Sequence, residues 1–370
     1  MSPFVFYQRA SRSIPILMTA ATASFIGASI LNNNIKENQS TKIIAQCESP
    51  EKVTKPPQCS NCATTQKRKS GIEAAVGNTP LIYLKSISEQ TGCHVYAKAE
   101  FLNPTGSIKD RAAKFMLDEA EKSRALKPGG TIVEATGGNT GIALAQFGAA
   151  RGLKVELFLP CIIAAEKVEY ERRFGATVYL QPLVPFSDPE NYFKKAESHA
   201  KLTGAFFTNQ FDNNANFMAH YTGTGPEIWN ELQGKVHGFI ASAGTGGTVA
   251  GISAFLKDQD PQVKCCLVDP QASVLFNYVN SGKIETSKGS SEIEGIGIGR
   301  ITNNFKQAKL DKAMQCSDTE AMEMAFYLIR NDGLFVGPSA ALNVCGAVKL
   351  ARELGPGHTV VTVLCDGGER

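Results

Sequence analysis

Two glycine-rich stretches decide the fold, TIVEATGGNTGIALAQFGAARG at residues 131–152 and GFIASAGTGGTVAGISAFL at residues 238–256. In each stretch a short apolar run leads into a glycine-rich loop, and the loop leads into an amphipathic helical pattern. This order of strand, loop and helix is typical of parallel α/β sheets, which bind ligands at the carboxyl ends of their strands.

The same alternation of short apolar runs and helical patterns continues through the chain after residue 90. Continuous apolar strands separated by helices indicate parallel sheets that are covered on both faces, so the predicted fold class is α/β. The predicted strands are 94–101, 131–136, 154–160, 176–181, 205–211, 238–243, 264–269 and 358–365, and the predicted helices are 110–124, 140–151, 166–174 and 191–202.

Both glycine loops have the composition of an anion-binding site, because each combines several glycines with threonine hydroxyls. Glycines let backbone N–H groups turn inward, and the following helix adds the positive end of its dipole. A tight turn with positive φ values is the alternative explanation for the glycines. Neither loop has the Walker pattern or the dinucleotide fingerprint with its ribose-binding acid, so a dinucleotide has little support.

Lys109 adds a third element, because it follows the turn Asn103-Pro104-Thr105-Gly106-Ser107 and begins a predicted helix. A lysine in a first helical turn is ordinarily a solvated residue. Beside two anion loops, however, a desolvated lysine amine can lose its proton and form a Schiff base with an aldehyde. Pyridoxal 5'-phosphate (PLP) combines an aldehyde with a phosphate, so the three elements together predict a PLP site.

The order of these motifs resembles that of the fold-type II PLP enzymes, and within them cysteine synthase (O-acetylserine sulfhydrylase) and cystathionine β-synthase. The resemblance covers about residues 72–370 and implies a tryptophan synthase β-like fold, with two parallel-sheet α/β domains and the active site in their cleft. The matching segments are GNTPLIYL at 77–84, then 103–111, 136–140, 209–229, 244–251, 294–300 and 332–343.

The resemblance implies a role for each of twelve residues. Lys109 is similar to the Schiff-base lysine, Asn139 to the residue that binds the ring hydroxyl of the cofactor, and Ser339 to the serine that faces the pyridine nitrogen. One departure is Gly137, which stands where the family commonly has a serine. The implied phosphate cradle is Gly244, Thr245, Gly246, Gly247 and Thr248, and the implied substrate carboxylate site is Thr136, Gly138, Thr140 and Gln210.

The implied activity is the conversion of O-acetylserine and sulfide to cysteine and acetate through an aminoacrylate. Ser339 supports this expectation, because a neutral hydroxyl makes the cofactor ring a weaker electron sink than an aspartate would, which suits β-elimination followed by β-addition. The alternatives are cystathionine β-synthase, serine/threonine dehydratase, and a catalytically silent PLP-fold protein at a membrane.

The resemblance also divides the body of the chain. It implies a large cofactor domain built from residues 70–103 and 218–370, and a small mobile domain of residues 104–217. Homodimers are usual in the family, so a homodimer is expected here.

Residues 70–370 carry 29 Lys/Arg and 32 Asp/Glu, a balance that gives no surface for nucleic acid. The ten cysteines lie mostly in apolar runs, as in a reduced enzyme, and the lone Cys59-x-x-Cys62 lacks a second ligand pair for a metal.

The first 69 residues predict a targeting or anchor segment and a flexible linker. Residues 13–35 contain no charge, residues 14–31 are mostly apolar, and no acidic residue precedes Glu37. An uncleaved membrane anchor at 14–31, a cleaved mitochondrial presequence and a secretory signal are the three interpretations. The expectation is a mitochondrial protein held in the outer membrane by residues 14–31, with the matrix after cleavage as the alternative.

Overall fold

The computed structural model of the protein describes residues 71–369, and two β-sheets form its framework. The strands are β1 (Leu81–Tyr83), β2 (His94–Ala99), β3 (Thr131–Ala135), β4 (Lys154–Pro160), β5 (Thr177–Gln181), β6 (Phe206–Phe207), β7 (Gly238–Ala241), β8 (Lys264–Asp269), β9 (Lys312–Gln315) and β10 (Thr359–Leu364). One sheet has the strand order β1-β2-β10-β7-β8-β9, and the other has the order β5-β4-β3-β6.

Parallel pairing dominates both sheets and confirms the predicted α/β class. Every neighbouring pair is parallel except β1 with β2, which run antiparallel. The analysis of the sequence did not predict β1 or β9, because runs of three and four residues carry too little periodicity to distinguish a strand from a loop.

Helices cover the sheets and follow most of the strands. Each helix predicted from the sequence is present, with ends that differ by at most two residues. The helices are α1 (Lys85–Thr91), α2 (Lys109–Lys122), α3 (Asn139–Arg151), α4 (Ala165–Arg173), α5 (Tyr192–Thr203), α6 (Asn214–Ala219), α7 (Gly225–Glu231), α8 (Gly247–Gln259), α9 (Leu275–Ser281), α10 (Asp318–Asp332) and α11 (Pro338–Leu354).

The central strands β7 and β10 are buried along their whole length, which explains why their sequences are continuous apolar runs. Alternate residues point to opposite faces of the sheet. Ile240 and Val360 pack with the apolar face of α11, whereas Phe239 and Val361 pack with that of α8. The larger sheet therefore has a separate apolar core on each face.

The predicted strand at 205–211 was too long, because β6 contains only two residues. The chain leaves the extended conformation at Asn209, where φ is 48°. Thr208 and the backbone of Gln210 turn instead toward Glu134 on the neighbouring strand β3. Hydrogen bonds to a buried carboxylate thus replace the sheet ladder at this point.

Two expectations from the sequence are not decided by this architecture. The expected domain boundary between residues 217 and 218 falls inside α6, and the mobility of the small domain stays a prediction. The predicted membrane span at 14–31 and the pair Cys59 and Cys62 lie outside the described residues. Among residues 71–369, no helix has the length and apolarity that crossing a membrane requires.

A buried ionic network joins α2 to the larger sheet and to α7. Arg111 is 5% exposed and donates to Glu100 at 2.7 Å and to Glu227 at 2.7 Å, while the fully buried Lys98 lies 2.9 Å from Glu227. Burial alone would raise the pKa of Glu227, but the hydrogen bonds and charges of Arg111 and Lys98 lower it to about 2. The acid therefore stays ionised and holds both cations.

We expect Arg111→Ala to lower the free energy of unfolding by about 3–5 kcal/mol, because it leaves the carboxylate of Glu100 buried without its cation. Urea denaturation followed by circular dichroism measures this change. Lys122→Ala removes an exposed cation from the same helix and should change stability little, since exposed ion pairs are weak. Equal effects of the two substitutions would contradict the assigned role of the network.

Candidate active site

A cavity of about 450 Å³ lies between the carboxyl ends of the two sheets. Thr136 follows β3, and Asp366 follows β10, and both line the cavity. A second chamber of about 30 Å³ shares the walls formed by Lys109, Gly244 and Thr245. The site therefore lies where parallel sheets place ligands, at the strand ends.

Eleven of the twelve residues predicted from the sequence line these two cavities. Gly247 lines neither, and it packs instead against Asn216, whose Oδ1 would lie 2.2 Å from a Cβ at that position. Gly246 and Thr248 line the smaller chamber. The residues that line the larger cavity are Lys109, Thr136, Gly138, Asn139, Thr140, Gln210, Gly244, Thr245 and Ser339.

Lys109 is held in position by hydrogen bonds of its two neighbours in the chain, Ile108 and Asp110. The preceding turn is closed by Asp110, whose Oδ2 accepts a hydrogen bond from the backbone N–H of Thr105 at 2.7 Å. The backbone N–H of Ile108 donates to the carbonyl of Cys365 at 2.8 Å, next to the end of β10. These contacts place the first residue of α2 at the wall that the two cavities share.

The loop between β7 and α8 forms a concave backbone surface. Gly246 has φ of 88°, a conformation that favours glycine, and precedes the first turn of α8. Asn216 donates to Thr245 Oγ1 at 3.0 Å, and Thr248 Oγ1 lies 3.2 Å from Nε2 of His220. Burial lowers the pKa of His220 well below its ordinary value, so the ring is neutral. The N–H groups that begin α8 are thus held in place for an anion.

Asn139 begins α3 and faces Asp366 across the cavity. Its Nδ2 donates to Asp366 Oδ2 at 2.7 Å, while its Oδ1 is buried without a hydrogen-bond partner among the described residues. Ser339 Oγ, at the start of α11, donates to Asp366 Oδ1 at 3.5 Å. Sequence analysis did not predict Asp366, although an acid directly after a buried strand at the expected edge of the sheet was a usable signal.

Thr140 and Gln210 form a direct pair at the side of the smaller sheet. Thr140 Oγ1 donates to Gln210 Oε1 at 2.6 Å, and Gln210 Nε2 donates to the carbonyl of Ala135 at 3.1 Å. The glutamine side chain therefore bridges the end of β3 and the first turn of α3. Two of the residues that the sequence assigned to the substrate carboxylate are in this way held rigidly together.

Glu134 lies behind this pair and was also not predicted. It is fully buried and accepts hydrogen bonds from the Thr208 hydroxyl at 2.5 Å, the Gln210 N–H at 3.1 Å and the Ala135 N–H at 2.9 Å. Burial raises the pKa of Glu134 to about 7, although these donors oppose the shift. A single acid inside the apolar run TIVEA was the signal in the sequence.

Two ion pairs connect the smaller sheet's helices and loops to the irregular segment after α9. Lys167 pairs with Glu294, and both residues line the cavity. Arg300 lies 3.3 Å from Asp212, and its guanidinium stacks 4.6 Å from the ring centre of Phe186. The first pair therefore places a charged group from each side at the wall of the cavity, while the second lies outside that wall.

The residues present fit PLP. The glycine loop before α8 offers an N–H cradle for its phosphate, and a Cβ at Gly244 would fill that cradle, lying 2.2 Å from the carbonyl oxygen of Gly295. The partnerless Oδ1 of Asn139 offers an acceptor to a polar ring substituent. Lys109 supplies an amine in the same cavity. Phosphate, ring and aldehyde thus each have a matching group.

Comparisons with known proteins agree with this geometry. The family described as pyridoxal-phosphate dependent enzyme matches residues 72–366. A cysteine synthase of Dictyostelium discoideum is 48% identical over 313 residues, which cover 81% of this chain and 82% of that protein. A protein of Saccharomyces cerevisiae named putative mitochondrial cysteine synthase is 38% identical and covers 82% of each chain.

A solved structure shares the same architecture. The O-acetylserine dependent cystathionine beta-synthase from Helicobacter pylori superimposes with a TM-score of 0.74 at 32% identity, covering 81% of this chain and 96% of that one. The cavity, its lysine and its glycine loop thus occur in a chain whose sequence and fold both match this group of enzymes. The protein belongs to the fold-type II pyridoxal-phosphate dependent enzymes, and PLP is its cofactor.

Proposed function

We propose that this enzyme is a cysteine synthase, which converts O-acetylserine and sulfide to cysteine and acetate. The observation that carries the proposal is a single cavity that contains an amine at Lys109, the glycine loop that begins at Gly244, and the rigid pair Thr140 and Gln210. The similarity to the Dictyostelium cysteine synthase supports the choice of reaction.

Each of these groups has one task in the proposed reaction. PLP, when bound, supplies an electron sink that weakens the bonds to the α-hydrogen and to the β-substituent of the amino acid. Lys109 Nζ accepts the α-proton as general base and holds it within the cavity. Thr140 and Gln210 orient the substrate carboxylate, so that the α-hydrogen faces this amine. Ser339 places a neutral hydroxyl beside the ring nitrogen.

We expect Lys109→Ala to lower kcat/KM for cysteine formation by about a thousandfold or more, because both the cofactor attachment and the general base are lost. A colorimetric cysteine assay with O-acetylserine and sulfide measures the rate. The visible absorption of the bound cofactor should change at the same time.

Lys114→Ala is the matched control for this substitution, because Lys114 lies one turn further along α2 and pairs with Asp118 outside the cavity. It should retain the rate and the absorption of the unaltered enzyme. An active Lys109→Ala enzyme would overturn the proposal and leave the chain a PLP-fold protein without this chemistry.

We expect the KM for O-acetylserine to rise about threefold to tenfold as the pH falls through 7. A change of this size corresponds to the free energy of one hydrogen bond. The raised pKa of Glu134 means that the carboxylate, which accepts three hydrogen bonds above pH 7, gains a proton below it. Protonation converts one acceptor into a donor and loosens the backbone at Gln210. The first half-reaction, followed by cofactor absorption without sulfide, measures the effect free of sulfide ionisation.

Glu134→Gln keeps the shape of this side chain and removes its titration. The variant should show a raised KM that no longer changes between pH 6 and pH 8. A pH profile that matches that of the unaltered enzyme would show that another group is responsible.

We propose that the protein is mitochondrial. The support is the acid-free, uncharged segment at residues 13–35 and the name of the related yeast protein, putative mitochondrial cysteine synthase. More specifically, we propose that residues 14–31 anchor the protein in the outer membrane. The alternative is that the N-terminal segment is cleaved and the enzyme is released into the matrix.

A fusion of residues 1–45 to a fluorescent protein tests the location. We expect the fusion to reach mitochondria and to remain in the membrane pellet after carbonate extraction, because an uncharged span of this length partitions into a bilayer. Release into the soluble fraction with a shortened chain would exclude the anchor and leave the matrix. Fluorescence outside mitochondria would exclude both.

We also propose that the enzyme is a homodimer and that residues 104–217 move as a unit. Met322, Phe326 and Ile329 are 52%, 52% and 39% exposed and form an apolar stripe along α10, a surface suited to a second copy of the chain. The ion pair of Lys167 with Glu294 joins residues 104–217 to the rest of the chain at the wall of the cavity, a contact that can break and form again as the small domain moves.

A further inference from the structure

Glu171 is a buried acid close to the cavity, and nothing in the proposed reaction uses it. It lies near the end of α4, its side chain is 0% exposed, and neither carboxyl oxygen has a hydrogen-bond partner among the described residues. Glu134, which is also fully buried, accepts three hydrogen bonds instead. Burying a carboxylate without a partner is costly, so Glu171 requires a physical explanation.

The carboxyl group of Glu171 packs against the back of the glycine loop that follows β3. It occupies the space that Gly141 leaves open, because a Cβ at Gly141 would overlap Oε1 of Glu171 and would lie 2.8 Å from Cγ2 of Thr136. Thr136 and Thr140 line the cavity, whereas Gly141 and Glu171 do not. One layer of chain, the loop 136–140, therefore separates this acid from the cavity.

The charged groups around Glu171 leave its carboxylate without a counter-ion of its own. Lys167, one turn earlier on α4, is paired with Glu294, and Arg172 is exposed. Helix α3 and strand β5 pack against α4, but α3 has no titratable residue in its first three turns and β5 has only Tyr179. Burial raises the pKa of Glu171 to about 8, although the charges of Lys167 and Arg172 oppose the shift. The acid is therefore protonated at neutral pH.

The charge on Glu171 affects the binding of an anion on the other side of the loop. Gly141 follows Thr140 directly in the chain, so a carboxylate bound by the loop would lie about 10 Å or less from that of Glu171. Two negative charges at about this distance, in an effective dielectric constant of about 20, weaken binding roughly tenfold. Protonation of Glu171 removes this repulsion.

We propose that Glu171 is a positioning residue for the substrate carboxylate: its protonated form leaves the loop 136–140 able to bind the amino acid, and its ionised form repels the amino acid. The inference rests on the proposed function, which assigns the carboxylate to this loop. Because binding favours the protonated form, affinity is full well below pH 8 and falls as the pH rises through 8. The effect expected from Glu134 has the opposite direction, since there the affinity falls as the pH decreases.

A ratio of KM values isolates the effect of Glu171. The full-length enzyme and Glu171→Gln, both loaded with PLP, are given O-acetylserine without sulfide, and cofactor absorption gives KM between pH 6.5 and pH 9. The substrate's amino group and Glu134 titrate alike in both enzymes, so their effects cancel in the ratio. We expect the KM of the unaltered enzyme, divided by that of the variant, to rise about fivefold between pH 7 and pH 9. A ratio that stays constant would overturn the proposal.

Glu169→Gln is the matched control, because it makes the same chemical change on the same helix. The side chain of Glu169 is 56% exposed and pairs with Arg173 at 3.1 Å. Its KM should follow that of the unaltered enzyme at every pH. If this variant loses the alkaline rise in KM as fully as Glu171→Gln does, the effect does not come from the buried acid and the proposal fails.

Thermal unfolding gives a readout that does not depend on substrate. The folded protein keeps the proton on Glu171 up to about pH 8, whereas an exposed glutamate in the unfolded chain releases it near pH 4.5. The melting temperature of the unaltered enzyme, relative to that of Glu171→Gln, should therefore fall as the pH rises from 5 to 8. Glu171→Leu serves as the reference if the glutamine variant does not fold, because an apolar side chain suits this buried position.

The outcomes separate this inference from the proposed function. A melting-temperature difference that does not change with pH would show that Glu171 carries no raised pKa in the folded protein, and would overturn the inference alone. An unaltered enzyme whose cofactor absorption does not respond to O-acetylserine at pH 7 would remove the proposed function, and this inference with it.

Discussion

The charge of Arg111 is the constraint on which the arrangement of the site depends. A buried guanidinium is stable only where carboxylates surround it, and these are provided by Glu100, directly after β2, and by Glu227 in α7. Arg111 lies two residues after Lys109 on the same helix. The ionic network therefore fixes the start of α2 relative to the larger sheet. Because Lys109 is the first residue of α2, the position of its amine is fixed as well.

The site is assembled from strand ends that are far apart in sequence. Thr136, Gly244 and Asp366 follow three different strands, and the parallel direction of those strands brings their ends to one edge. Glycine loops at two of these ends turn backbone N–H groups toward the cavity, and buried polar side chains then fix the loops. Glu134 and Asn216 form such hydrogen bonds, to Gln210 and Thr245 respectively, although neither side chain lines the cavity.

The chain's local patterns were sufficient to predict the α/β class, most strand and helix positions, and the two glycine loops with Lys109. These features depend on apolar periodicity and on glycine-rich loops, which are local in sequence, whereas the roles of residues such as Asn139 and Gln210 came from the resemblance to a known family. The supporting groups were missed because their partners are distant: Glu134 bonds residues more than 70 positions away, and Asp366 contacts Asn139 across 227 positions. The predicted strand at 205–211 was too long for the same reason, since the turn at Asn209 is held by hydrogen bonds from Thr208 and Gln210 to Glu134.

The position of β10 in the larger sheet has a consequence for biosynthesis. This strand comes last among the strands that the structure describes, yet it pairs with β2 on one side and β7 on the other. While the ribosome is still translating, β2 and β7 must expose unpaired edges until residue 364 has emerged. Such edges invite pairing with other chains, and the long-range closure folds slowly. A nascent chain of this protein therefore carries two incomplete sheet edges until β10 has been made.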